Sequence, residues 1–210
     1  VGAQRAPVYF DSDGSRNMLD AVRVATSPEA VGMGTTVVMN GRIEAAREVT
    51  KTSTLNVETF QTREFGSLGV ADLGAVRFYR APLRRQTIAL AADATLPRVE
   101  IVSMYAGADG RVIDALLATG ELDGLVIAGL GLAHIPEAAM ASVGAVREAG
   151  IPVVLSTRVQ SGRILPLYAN NVELLEMGCV EADNLSPQKA RVLLMAAMTR
   201  AADPESLRAY

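Results

Sequence analysis

Gly124-Leu125-Val126-Ile127-Ala128-Gly129 is the stretch whose reading decides the fold. It is almost wholly apolar and does not alternate. A strand with one wet face alternates apolar and polar residues, so a run like this fits a parallel strand covered on both faces. The flanking segments keep the same grammar. Val99-Glu100-Ile101-Val102-Ser103-Met104-Tyr105 is short and β-branched, which predicts a strand. Between the two runs, Gly110 to Thr119 puts Val112, Ile113, Leu116 and Leu117 on one helical face and stops at Gly120. A second helix is predicted from Pro136 to Ala149, closed by Gly150 and Pro152. Pro152-Val153-Val154-Leu155-Ser156 is the third strand and Gly178-Cys179-Val180-Glu181-Ala182 the fourth. Ser186 is placed to cap a last helix with Pro187 at its first position, and Val192, Leu193, Met195, Ala196 and Met198 give that helix its apolar surface. Strands and helices alternating at these lengths predict a small doubly wound parallel-sheet domain, flavodoxin-like, over residues 99–210.

Working outward, residues 81–98 carry two prolines and no clear period, and read as a linker. Residues 1–80 have a different character. Asp13-Gly14-Ser15 precedes a helix from about Arg16 to Ala25. Thr35-Thr36-Val37-Val38-Met39-Asn40 is a strand. A long polar stretch runs from Gly41 to Ser67, and Leu68 to Arg80 reads as a hairpin turning at Asp72-Leu73-Gly74. One helix, one strand and a hairpin do not close a domain. The expectation is an incomplete α/β unit, the C-terminal part of a larger N-terminal domain.

The bulk properties exclude several classes of function. Of 210 residues, half are apolar and 20% charged, enough apolar material for a sizeable core. A net charge of −3 gives no basic face for nucleic acid, and 4% aromatics with no Trp give no base-stacking platform. No apolar run has the length of a membrane span. Cys179 is the single cysteine, so it forms no internal disulfide and no Cys/His cluster can gather a metal; it reads as a small buried hydrophobe.

Generic searches find no phosphate loop, nucleophile elbow or dinucleotide fingerprint. Gly129-Leu130-Gly131 follows a strand, but His134 stands where a third glycine is needed. The most unusual stretch is Arg47-Glu48-Val49-Thr50-Lys51-Thr52-Ser53-Thr54-Leu55-Asn56, a lone lysine among hydroxyls. Composition alone reads Lys51 as a solvated lysine on a polar loop.

The order of short motifs changes that weighting. Val1-Gly2-Ala3-Gln4-Arg5, Ser12-Asp13-Gly14, Asn17, Leu19 and Ala21-Val22 resemble the run VGAMRP…SADGP.NL..AV of the bacterial L-asparaginase and glutaminase-asparaginase family. Val37-Val38-Met39-Asn40, Arg42, Ala46-Arg47 and Val49-Thr50-Lys51-Thr52 resemble its VVMND.I..AR.VTKT. Thr59-Phe60 with Gly66-Ser67-Leu68-Gly69, Leu96-Pro97-Arg98-Val99, Ser156-Thr157-Arg158-Val159 with Gly162, and Asn184 through Arg191 continue the series. The matches keep order and near-constant spacing over essentially the whole chain.

The resemblance implies hydrolysis of the side-chain amide of asparagine, and often glutamine, through an acyl-enzyme without metal or cofactor. Two threonines do the chemistry in that family. They lie in GGTI-type and HGTDT-type segments, which the resemblance places ahead of Val1, so the chain by itself is expected to be inactive. The lysine of VTKT, matched by Lys51, completes a Thr–Lys–Asp group. Ala3 matches an alanine whose carbonyl faces the substrate amide. His134 falls where the family has an Asn or Ser in a turn that reaches the neighbouring subunit's site; read from the residues alone, it is a surface histidine. Glu173 is the nearest candidate for a glutamate that holds the substrate's amino group across the interface, with Glu176 the other. The resemblance also implies a homotetramer built as a dimer of dimers, a small amino-acid amide as substrate, no nucleic-acid or membrane partner, and a periplasmic rather than cytoplasmic compartment. Two other classes fit the same motifs: a non-catalytic homologue that keeps only fold and interface, and an amidase subunit acting on a macromolecular substrate.

Overall fold

The computed structural model describes residues 1–83, 87–200 and 204–207. The chain divides into two compact units, Val1–Arg85 and Gln86–Tyr210.

In the first unit, helix α1 (Gly14–Thr26) lies against a four-stranded antiparallel sheet in the order β1-β2-β5-β6: Thr36–Met39, Arg42–Ala45, Gly69–Asp72 and Ala75–Phe78. A separate two-stranded arm pairs β3 (Thr50–Lys51) with β4 (Phe60–Gln61). Val24, Val38, Ile43, Ala45, Leu68 and Ala71 form the core between helix and sheet. The stretch from Gly41 to Ser67, read from the sequence as one long polar stretch, contains three of these strands. The first is set by Asn40-Gly41, with φ values of 51° and 70°, between the paired residues Met39 and Arg42. Both central residues of such a two-residue turn need positive φ, and Asn-Gly supplies it. Val37 and Glu44 pair across this hairpin on the face opposite the helix, and Ser67 Oγ donates to Glu44 Oε1 at 2.6 Å. The predicted hairpin at 68–80 is present as β5 and β6, turning through Leu73 and Gly74.

The second unit is built on a parallel sheet in the order β10-β9-β8-β7. Its strands are β7 (Val99–Ser103), β8 (Gly124–Gly129), β9 (Val153–Thr157) and β10 (Val180–Glu181). The crossovers run through α2 (Arg111–Ala118), α3 (Glu137–Glu148) and α4 (Ala169–Glu176). All three bury side chains in one core with Leu125, Ile127, Val153 and Leu155. The other face carries Val99, Val126 and Val154, covered by α5 (Pro187–Ala197) through Ala190, Leu194 and Ala197. Every residue of β8 is buried, as its unbroken apolar run requires. A short helix, α6 (Pro204–Leu207), follows.

Details differ from expectation. The fourth strand shrinks to two residues. Helix α4 was not foreseen. Val112 and Val192, expected on apolar faces, are 53% and 63% exposed; Ile113 and Leu194 point inward instead. Residues 84–86 of the expected linker and 201–203 and 208–210 of the expected C-terminal domain lie outside the described residues.

Candidate active site

Lys51 ends β3 opposite Phe60, with its ammonium 5.9 Å from the centre of the Phe60 ring. Its side chain is exposed. Nζ donates to Gln4 Oε1 at 2.9 Å, although the two residues are 47 apart in sequence. Gln4 Nε2 donates in turn to the Thr54 carbonyl at 2.5 Å. The loop after Lys51 is tied by Thr59, which is fully buried. Thr59 Oγ1 accepts the Ser53 N–H at 2.8 Å and donates to the Ser53 carbonyl at 2.5 Å. Thr52 donates to the Thr59 carbonyl through both its N–H (2.8 Å) and its hydroxyl (3.0 Å). Ser53 Oγ accepts from the N–H groups of Leu55 and Asn56. The hydroxyls of Thr52, Ser53 and Thr59 thus hold the loop.

The segment that contains Ala3 is fixed to the start of α1. Asp13 accepts the backbone N–H of Gln4 and of Arg5, each at 2.9 Å to Oδ1. Asn17, 1% exposed, donates to Asp13 Oδ2 at 2.8 Å and to the Gly2 carbonyl at 3.0 Å, and its Oδ1 accepts the Asn40 N–H at 2.9 Å. Burial works to raise the Asp13 pKa, but the hydrogen bonds from Arg5, Gln4 and Asn17 outweigh it and hold the carboxyl below its ordinary value. Among the described residues no donor reaches the Ala3 carbonyl, while those of Gly2 and Arg5 are engaged. Ala3 and Lys51 are therefore joined through Gln4.

The chain has 20 lysines and arginines, and only Lys51 and Lys189 are lysines. Arginine stays protonated and presents a fixed fork, whereas lysine is a compact cation able to change protonation state. A sequence so biased to arginine that keeps lysine at 51 fits a position that needs an ammonium.

In the second unit, the expected turn at 129–134 is tight. Leu130 and His134 exchange backbone hydrogen bonds at 2.9 and 2.8 Å, with Gly131 and Ala133 at positive φ. Thr157 Oγ1 donates to the Gly131 carbonyl at 2.6 Å. His134 is half-buried, its ring edge-on to Tyr168 at 5.8 Å, and its buried Nδ1 has no hydrogen-bond partner among the described residues. The turn is attached to α4 by Asn171, 2% exposed, whose Nδ2 donates to the Leu132 carbonyl at 2.8 Å while Oδ1 has no partner among the described residues. Glu173 lies two residues further along α4 and is exposed. The helix thus presents Asn171, not Glu173, to the turn that carries His134. Glu176 lines an open hollow of about 520 Å³ with Val172, Leu175, Cys179, Val180 and Glu181. Burial pushes the Cys179 thiol up to about 12, against the opposing pull of Arg147, so it is not a nucleophile at neutral pH.

Sequence reading missed Asn171 and gave no role to Gln4, Thr59, Asp13 or Asn17, which were visible only as members of motifs. Gln4 carries no local signal, because its role depends on a contact with a distant segment.

Two family models match this chain: "Asparaginase, N-terminal" over residues 1–84 and "Glutaminase/Asparaginase C-terminal domain" over residues 98–210. The chain is 36% identical over 215 residues to L-asparaginase 2 of Bacillus subtilis, covering 100% of this chain and 56% of that protein. It is 35% identical over 214 residues to a probable periplasmic L-asparaginase of Haemophilus influenzae, covering 100% and 60%. Its structure matches the crystal structure of a probable cytoplasmic L-asparaginase from Campylobacter jejuni with a TM-score of 0.91 at 32% identity, over 100% of this chain and 68% of that one. The chain belongs to the glutaminase/asparaginase family. It spans 56% to 60% of the length of these two curated relatives.

Proposed function

We propose that this chain is part of an amidohydrolase that releases ammonia from L-asparagine, and from L-glutamine, through an acyl-enzyme on a threonine outside these 210 residues. The observation that carries the reading is the junction of Lys51, Gln4 and Ala3. It brings a motif lysine, and a backbone carbonyl that no donor reaches among the described residues, onto one framework.

In this reading the Lys51 ammonium stands beside the threonine hydroxyl and eases loss of its proton as Oγ attacks the amide carbon. An aspartate from the same outside segment balances the lysine charge. The Ala3 carbonyl orients the amide by accepting from its NH₂ group. The C–N bond then breaks, the nitrogen takes the proton that the threonine hydroxyl gave up and leaves as ammonia, and water hydrolyses the ester to the free acid and restores the threonine hydroxyl.

His134 and Glu173 are proposed to act on the substrate in a neighbouring subunit of a homotetramer, with Asn171 holding the His134 turn in place. The domain limits 1–80 and 99–210, joined by 81–98, belong to the same reading. The compartment proposed is the periplasm, on the likeness to family members found there; no helix of the described residues is long and apolar enough to cross a membrane.

Two experiments test this. The purified 210 residues should release no ammonia from asparagine or glutamine, and turnover by them would move the nucleophile into this chain. The full-length protein should scatter light as a tetramer, and a monomer that retains full activity would contradict the shared site.

A further inference from the structure

We propose that Gln4 is a positioning residue for Lys51, its side-chain amide fixing the ammonium between segment 2–5 and the loop 52–59. This rests on the reading of Lys51 as the catalytic lysine.

The orientation of the amide follows from its partners. The Thr54 carbonyl can only accept, so the Gln4 NH₂ group must face it at 2.5 Å. That leaves Oε1 for Lys51 Nζ, at 2.9 Å. The reversed amide would set NH₂ against an ammonium and a carbonyl against a carbonyl. The two bonds therefore enforce each other. A lysine side chain has four rotatable bonds and places its charge poorly unless something holds the tip. Here one of the three Nζ protons is committed to Gln4 and Nζ lies 5.9 Å from the centre of the Phe60 ring, leaving two protons for other acceptors.

Gln4 is itself anchored. Its backbone N–H is held by both oxygens of Asp13, at 2.9 and 3.1 Å. The chain Asp13–Gln4–Lys51 thus runs from the start of α1 to the end of β3. Among the described residues Lys51 has no ion pair. Charged groups on the surrounding elements are engaged elsewhere: Glu58 with Arg42, Arg5 with Asp11, and Asp13 with backbone. A neutral acceptor holds the ammonium without neutralising it, so the charge remains available to the reacting hydroxyl and to the aspartate proposed above.

The test compares Gln4→Met and Gln4→Glu with the unmodified full-length protein. Met keeps the length of the side chain and removes the acceptor; Glu keeps the acceptor and adds charge. Ammonia release from asparagine gives kcat and KM. Gln4→Met should lower kcat about tenfold, as expected when a hydrogen bond to a charged group is lost. KM should change less than about twofold, the mark of an interaction that matters in the transition state. Gln4→Glu, which keeps an acceptor for Nζ, should lose less kcat than Gln4→Met, whereas a residue that merely supports the fold would give no such rescue. An unchanged kcat in Gln4→Met, or a loss in Gln4→Glu as large as in Gln4→Met, would overturn the proposal. Failure of the catalytic reading itself shows separately, as full kcat in Lys51→Met.

Discussion

Asp13 grips Gln4 with both carboxylate oxygens, taking its backbone N–H at 2.9 Å on Oδ1 and 3.1 Å on Oδ2. The same carboxylate takes the Arg5 N–H and the Asn17 amide. These donors favour the charged form, so the folded pKa lies below the ordinary 3.8. A depressed carboxyl contributes stability that is full above the unfolded value and is lost as pH falls through the folded one.

Asp13→Ala should therefore lower unfolding stability by about 1–2 kcal/mol at neutral pH, the range for hydrogen bonds to a partly exposed charge. Urea unfolding at several pH values checks this. The gap between wild type and variant should be constant above 3.8 and close as the pH drops further. A gap that persists unchanged into acid would show that the carboxylate form does not carry the effect.

Thr59 closes the loop after Lys51 by exchanging two hydrogen bonds with Ser53. Thr59→Val keeps the shape and removes the hydroxyl, leaving the Ser53 N–H and carbonyl without those partners. The expected cost is about 1–3 kcal/mol. Faster amide hydrogen exchange should appear over residues 52–59. Protection equal to wild type there would contradict the role given to Thr59.

Gly129 closes the strand β8 at the turn that carries His134. A Cβ at this position would fall 2.5–2.6 Å from the backbone of Ala133, which cannot move aside as a flexible side chain would. Gly129→Ala should destabilise the second unit by about 1–3 kcal/mol and loosen the turn held by Asn171. Thermal unfolding and the exchange rate of the His134 amide are the measurements. A variant with the wild-type melting temperature would remove the argument for a rigid turn.

The parallel half of the fold was legible because its signals are local. Unbroken apolar runs such as 124–129 mark strands, and Gly120 and Gly150 end helices where φ turns positive, at 70° and 79°. Helix α4 was hidden because it buries only Asn171 and Leu174, so its apolar period is weak and one of its inward residues is polar. In the first half, β2 alternates polar and apolar residues but is only four residues long, and β3 and β4 are two residues long, too short for any period. The Asn40-Gly41 turn signal was present but masked by the polar residues after it. The site was legible only as far as motif order reached Lys51 and Ala3. Gln4 acts through contacts with residues 47 and 50 positions away, and Thr59 through hydrogen bonds inside its own loop, and neither role can be read from residue spacing.

Kinetics of Lys51→Met in the full-length protein test the central claim most directly. With the unfolding midpoint unchanged, ammonia release from L-asparagine should fall by about 10²–10⁴ in kcat, the span for a positioned proton-transfer group. A variant that folds normally and keeps the wild-type kcat would show that the chemistry does not pass through Lys51.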